Sequence, residues 1–153
     1  MNRTTAIFKK IIAAAALLTA FIPIAGCSSK LDHAPPSGSG EITITHYSFG
    51  KMVIDGKTYE SDLAISTDKT VKNWRMGLVH QIQLEDVKHL VSDDTRMLII
   101  GIGALNVCSV DQDVIDYLKS KAIVLHVLST GEAVKRFNAS PKPGLAAVFH
   151  LNC

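Results

Sequence analysis

The rhythm of apolar and polar positions changes along the chain. Residues 11–25 form a nearly unbroken apolar run behind Arg3, Lys9 and Lys10, and residues 28–41 read SSKLDHAPPSGSGE, with almost nothing apolar to bury. From 42 to 66 the pattern alternates: ITITHYSF and KMVI lead into Asp55-Gly56, and KTYESDLAIS follows. Period-two alternation around a pair that supplies positive φ predicts a β-hairpin. Beyond it, RMLII (96–100), AIVLHVL (122–128) and LAAVF (145–149) are apolar without alternation, as in strands covered on both faces.

Helical spacing fills the gaps between those runs. Val87, Leu90 and Val91 share one face. Ser109 and Gln112 have the spacing of a capping box ahead of Val114, Tyr117 and Leu118, and Ser129 with Glu132 repeats it ahead of Ala133, Val134 and Phe137. Strand, helix, strand, helix, strand predicts an α/β layer with a right-handed crossover between the strands at 96–100 and 122–128, and the early hairpin extends or flanks that sheet. The roughly 110 residues from Ile42 onward suffice for one core and are too few for two.

The N-terminal segment has the parts of a secretory signal: a basic region, an apolar region and small residues at a cut. Its apolar run is shorter than the roughly 20 residues that span a bilayer, and it contains Pro23. The run Ile24-Ala25-Gly26-Cys27 resembles the bacterial lipobox, in which the cysteine sulfur is diacylglycerylated. The expected plan is therefore a signal peptide over 1–26 that is removed, a lipidated Cys27 with a flexible linker over 27–41, and a single domain over 42–153. Acyl chains contribute roughly 0.8 kcal/mol per buried methylene, so two or three of them hold a protein on a membrane without help from its folded surface. The linker, some 14 residues of Pro, Gly and Ser character, reaches on the order of 20 Å. The expected location is the bacterial cell envelope, lipid-anchored on the exported side of a membrane.

Charge narrows the partners. Of 16 Lys and Arg, three precede Cys27, leaving 13 against 14 Asp and Glu. The mature domain is close to neutral and offers no basic field for nucleic acid.

With Cys27 lipidated, Cys108 and Cys153 are an even pair in an oxidising setting, open to a disulfide, to a reactive thiol, or to two packed thiols. His150 stands three residues before Cys153, but a thiol and base must also lie within hydrogen-bond reach, and spacing on a tail does not ensure that. No His or Cys pair has zinc-site spacing, and neither a metal nor a catalytic set is expected. Gly101-Ile102-Gly103 follows an apolar run and is either a tight turn or a small-anion loop. A dinucleotide site would carry an acid on the next strand, where this chain has His126, so no cofactor is expected. Trp74-Arg75 is either a binding anchor or core packing, since both residue types are enriched at binding hot spots.

Several pieces occur together in order: His46-Tyr47-Ser48-Phe49-Gly50, Ile54-Asp55-Gly56-Lys57, Tyr59 with Asp62, Trp74-Arg75, Leu84-Glu85-Asp86-Val87, Gly101-Ile102-Gly103, Thr130 with Glu132-Ala133-Val134, Phe137-Asn138, and Phe149-His150-Leu151-Asn152-Cys153. The set resembles a family of small domains of unknown function that includes a human adipogenesis-associated protein and a mitochondrial assembly factor for respiratory complex I. The resemblance implies a compact three-layer α/β fold around a mixed central sheet and, in one branch, a role in assembling other proteins. It implies no reaction. Where many relatives have a third glycine this chain has Asn106, where they have a terminal hydroxyl it has Asn152, and Gly77 and His80, often adjacent in the family, are separated here.

Two functions follow as expectations. The first is a membrane-anchored binding or assembly module with a possible protein partner and no catalytic constellation in its sequence, with Trp74 and Arg75 as its interaction residues. The second is a small ligand-binding domain or enzyme whose pocket is built from Gly101, Gly103, Asn106, His150 and Cys153.

Overall fold

In this computed structural model the described residues are 41–153. The expected signal peptide, Cys27 and nearly all of the expected linker lie outside them. The domain is a mixed α/β fold with a five-stranded central sheet and three helices, and the expected order of elements is present.

The alternating N-terminal segment forms a three-stranded antiparallel meander, β1 (Ile44–Ser48), β2 (Lys51–Ile54) and β3 (Lys57–Tyr59). The β2–β3 turn is Asp55-Gly56, at φ of 47° and 79°, the positive pair that a tight hairpin demands. The next strands, β4 (Leu63–Ile65) and β5 (Val71–Asn73), leave this meander for the central sheet, because all three residues of β4 are buried and need cover on both faces.

The central order is β5-β4-β10-β7-β9, with β7 (Met97–Ile102), β9 (Val124–Leu128) and β10 (Leu145–His150) mutually parallel and β4 antiparallel to β10. Helix α2 (Gln112–Ser120) carries the chain outward from β7 to β9, and α3 (Thr130–Ala139) carries it back past β7 to β10. Crossovers of one hand in opposite directions place their helices on opposite faces, and two separate cores result. One joins α3 and the meander to the sheet through Met52, Leu63, Ile99, Phe137 and Phe149. The other packs α1 (Leu84–Val87) and α2 on the far face through Val87, Leu98, Ile100, Leu118 and Val148. Three layers follow, and every residue of β10 is buried between the outer two.

Ser129 caps α3 as expected, its hydroxyl accepting from the Glu132 amide at 3.4 Å. The start of α2 differs. Its N-cap is Asp111, and Ser109 belongs to a two-residue strand, β8 (Ser109–Val110), paired in parallel with β6 (Gln81–Ile82). The Ser109 amide donates to the His80 carbonyl at 2.9 Å, so main-chain pairing takes the residue that spacing alone assigned to a cap.

Candidate functional site

The C-terminal ends of β7 and β10 converge with the loop before β6. In open α/β sheets the groups at the carboxyl ends of parallel strands line the ligand crevice, and here those groups are chemically specific.

Register builds the first pair. Phe149 of β10 stands opposite Leu63 of β4, so the next residues outward, His150 and Asp62, also face each other. His150 Nδ1 lies 2.6 Å from Asp62 Oδ2, while Asp62 Oδ1 accepts the Leu151 amide at 2.8 Å. A carboxylate partner places a ring proton on Nδ1, and in that neutral tautomer Nε2 is the acceptor. That Nε2 is buried and has no hydrogen-bond partner among the described residues, and the His150 side chain is only 9% exposed. Below it, Thr130 Oγ1 donates to the His150 carbonyl at 2.6 Å and accepts the Gly103 amide at 3.0 Å, which pins the strand end to the glycine turn. Tyr47 reaches the same junction, its hydroxyl donating to the Leu151 carbonyl at 3.2 Å. Burial pushes its phenol upward, opposed by the neighbouring Thr130 hydroxyl and with a smaller push from the charge of Asp62.

The glycine turn fixes the tail. Gly103 has φ of 94°, and a Cβ there would collide with the Cys153 carbonyl oxygen and stand 2.8 Å from that of Asn152. The space a side chain would take is filled by main chain: the Ala104 and Leu105 amides donate to the Asn152 and Cys153 carbonyls at 3.2 and 2.8 Å. Held in this way, Cys153 Sγ lies 3.3 Å from His80 Nε2. The two imidazoles meet edge to face with centroids 6.1 Å apart.

His80 is delivered by a braced loop. The Asp86 carboxylate accepts the Gly77 and Gln83 amides, each at 2.8 Å, and β6–β8 pairing holds the other side. His80 itself sits at φ of 59°, a left-handed conformation uncommon for a residue with a Cβ, though less so for His than for most.

Of the expected site residues, the fold brings Gly103, His150 and Cys153 together. Gly101 stands apart: it is a packed sheet position, its missing Cβ facing Thr130 and the Phe149 ring, with no room for a ligand. Asn106 lies in the exposed loop after the turn at φ of 60°, a left-handed conformation that asparagine adopts more readily than most residues with a Cβ. Asp62 and His80, which complete the cluster, were absent from the expected pocket. The cue for Asp62 was its place immediately before a short apolar strand, and for His80 its place in a loop following a glycine.

Trp74 corrects an expectation. Its ring is buried, 6% exposed, and its indole N–H donates to the Asp86 carbonyl at 2.8 Å, so it braces the loop that carries His80 and offers no anchor to a partner. Arg75 is exposed beside it and lines a cleft of about 350 Å³ with Asp62, Asn73 and Asn152. Both Cys108 and Cys153 are free thiols. Cys108 is buried, and burial, with smaller contributions from negative charge at Cys153 and Asp62, pushes its thiol up to about 11.

The architecture is thus that of a small three-layer α/β domain with a His, Cys and Asp cluster at its strand ends. Residues 44–149 match a family described as a protein of unknown function (DUF498/DUF598), and the chain belongs to that family. Similar solved structures include a conserved hypothetical protein from Pyrococcus horikoshii, 21% identical with TM-score 0.66, covering 72% of this chain and 99% of that one. An outer membrane protein from Bartonella henselae is 21% identical with TM-score 0.63, over 74% and 98%. A Mth938-like domain from Bordetella pertussis is 12% identical with TM-score 0.55, over 72% and 86%.

Proposed function

We propose that this chain is a lipoprotein, anchored through Cys27 on the exported side of a bacterial membrane, whose domain binds a small ligand at the His80, His150 and Cys153 cluster. The observation that carries the ligand site is His150: a nine-tenths buried imidazole, oriented by Asp62, with its Nε2 unpartnered. Buried polar atoms are nearly always satisfied in native structures, and an orphan at a strand end is a place where a ligand atom would complete the set. The anchoring rests on the signal-like leader, the four residues ending at Cys27 and the Pro, Gly and Ser linker. It is consistent with a relative of the same fold being described as an outer membrane protein. Among the described residues no helix is long and apolar enough to cross a membrane.

A second reading, a protein-binding assembly module, draws on the rim of the same site. Phe49, Leu78, Val79, Leu105 and Val107 are exposed, 44–84% each, on the three segments that border Cys153 and His80. Exposed apolar side chains grouped around a polar centre suit a protein surface as well as a small molecule.

Two measurements test the proposal. In cells, Cys27→Ser abolishes incorporation of labelled fatty acid and moves the protein out of the membrane fraction; unchanged incorporation overturns the anchor. On the native protein, a small thiol reagent modifies Cys153 and leaves Cys108 intact until denaturant is added, because Cys108 is 4% exposed and its thiol is raised. Equal labelling of both overturns the accessible site. A protein captured by the wild type and lost on Val79→Asp, with labelling of Cys153 unaffected, moves the assignment to the second reading.

A further inference from the structure

The geometry points to a three-ligand site for a zinc-class divalent cation, formed by His80, His150 and Cys153 with Asp62 behind it. This deepens the reading of the cluster as the functional site and rests on it. One donor atom from each of the three residues lies within 4.8 Å of the other two. Zinc bonds of roughly 2.0–2.3 Å to nitrogen and sulfur place neighbouring donors of a tetrahedron about 3.3–3.6 Å apart. The His80 Nε2 to Cys153 Sγ separation, 3.3 Å, is within a few tenths of an ångström of the roughly 3.6 Å that a nitrogen–sulfur pair needs, and small rotations of the His80 and Cys153 side chains would close the rest.

Three independent features make this more than proximity. His150 presents a buried Nε2 with no partner, the atom a metal would take. Its Nδ1 is held by Asp62 at 2.6 Å, the carboxylate behind a histidine that fixes tautomer and ring direction in metal sites. The donor set of two imidazoles and one thiolate suits borderline-soft ions such as zinc and excludes magnesium and calcium, which select oxygen. Binding releases the Cys153 thiol proton to solvent and forms the S–metal bond in its place, with both imidazoles neutral. Three protein ligands leave a fourth position for water or a ligand atom, the pattern of reactive and not of closed structural zinc sites.

The site escaped sequence spacing because its donors come from three segments: the loop before β6, the end of β10 and the C-terminal residue. No pair of them sits on one helix or knuckle.

The test uses the full chain in detergent, stripped with chelator and titrated with cobalt(II) alone. One equivalent is expected to produce a near-ultraviolet sulfur-to-cobalt charge-transfer band together with the strong visible absorption of four-coordinate cobalt, and zinc is expected to displace it. Cys153→Ser removes the charge-transfer band. His80→Ala, in a half-exposed loop, weakens binding with the circular dichroism spectrum unchanged, and Asp62→Asn weakens it by about 10–100-fold. Absence of the charge-transfer band, or its persistence in Cys153→Ser, overturns the metal site. If cobalt fails while Cys153 is still selectively labelled, the metal falls and the ligand site stands. If cobalt fails and both thiols label equally, both fall.

Discussion

Phe149→Ala is expected to lower the unfolding free energy by about 3–5 kcal/mol, the cost of deleting a fully buried aromatic ring. Phe149 is 0% exposed in the strand on which all layers converge, and its ring meets Phe137 of α3 edge to face with centroids 6.0 Å apart. It packs with Leu63 and Ile99 from the two neighbouring strands and with Met52 from the meander. These neighbours belong to separate elements anchored by their own sheet pairing, so they collapse little into the space, and the cavity term stays large. A domain of this size has about 5–15 kcal/mol to lose, so urea denaturation should show a large drop in midpoint. Phe149→Leu, which keeps most of the volume, should recover the greater part of it. A drop of less than 1 kcal/mol for Phe149→Ala would mean that α3 does not seal this core. Because Phe149 immediately precedes His150, the same variant also loosens the Asp62 pair, and the leucine control separates loss of packing from loss of site geometry.

How far residues alone disclose this fold depends on whether a signal is local. The runs that became β7 and β10 are apolar throughout because each is buried on both faces, and the Ser129 cap acts within four residues; both were readable. The segment 122–128 looked equally covered, yet β9 is an edge strand with Val124 51% and Val127 39% exposed. Composition cannot tell an edge strand from a central one when its outer face is also apolar. The alternating segment 42–66 read as one hairpin, whereas the fold splits it between two sheets, because Leu63–Ile65 pairs with β10 some 80 residues later. In the site, Gly103, His150 and Cys153 were visible through their local residue types. Asp62 and His80 find their partners across 88 and 73 residues, and only tertiary pairing brings them in. Trp74 shows the converse: its residue type and neighbour fit a binding anchor and core packing alike, and the fold takes the second, with the ring buried and the indole held by the main chain of Asp86.

Gly103→Ala is expected to detach the tail while leaving the sheet intact. The left-handed conformation costs a residue with a Cβ roughly 1–2 kcal/mol, and Gly103 has φ of 94°. The added Cβ would also strike the carbonyl oxygens of Cys153 and Asn152, and stand 3.2 Å from His150 Cδ2. Main-chain atoms cannot rotate away as a flexible side chain can, so Asn152 and Cys153 must leave the Ala104 and Leu105 amides, at a further cost of about 0.5–1.5 kcal/mol for each hydrogen bond. Gly56→Ala supplies the comparison: it has φ of 79°, and nothing lies within 4 Å of its Cβ position, so it carries the conformational cost alone. Gly103→Ala should therefore lose more stability than Gly56→Ala, react faster at Cys153 with a thiol reagent, and fail to give the cobalt–thiolate band, while Gly56→Ala behaves as wild type at the cysteine. Indistinguishable thiol reactivity in the two variants would show that the glycine turn does not position Cys153 against His80. The cluster would then owe its geometry to the His150–Asp62 pair alone.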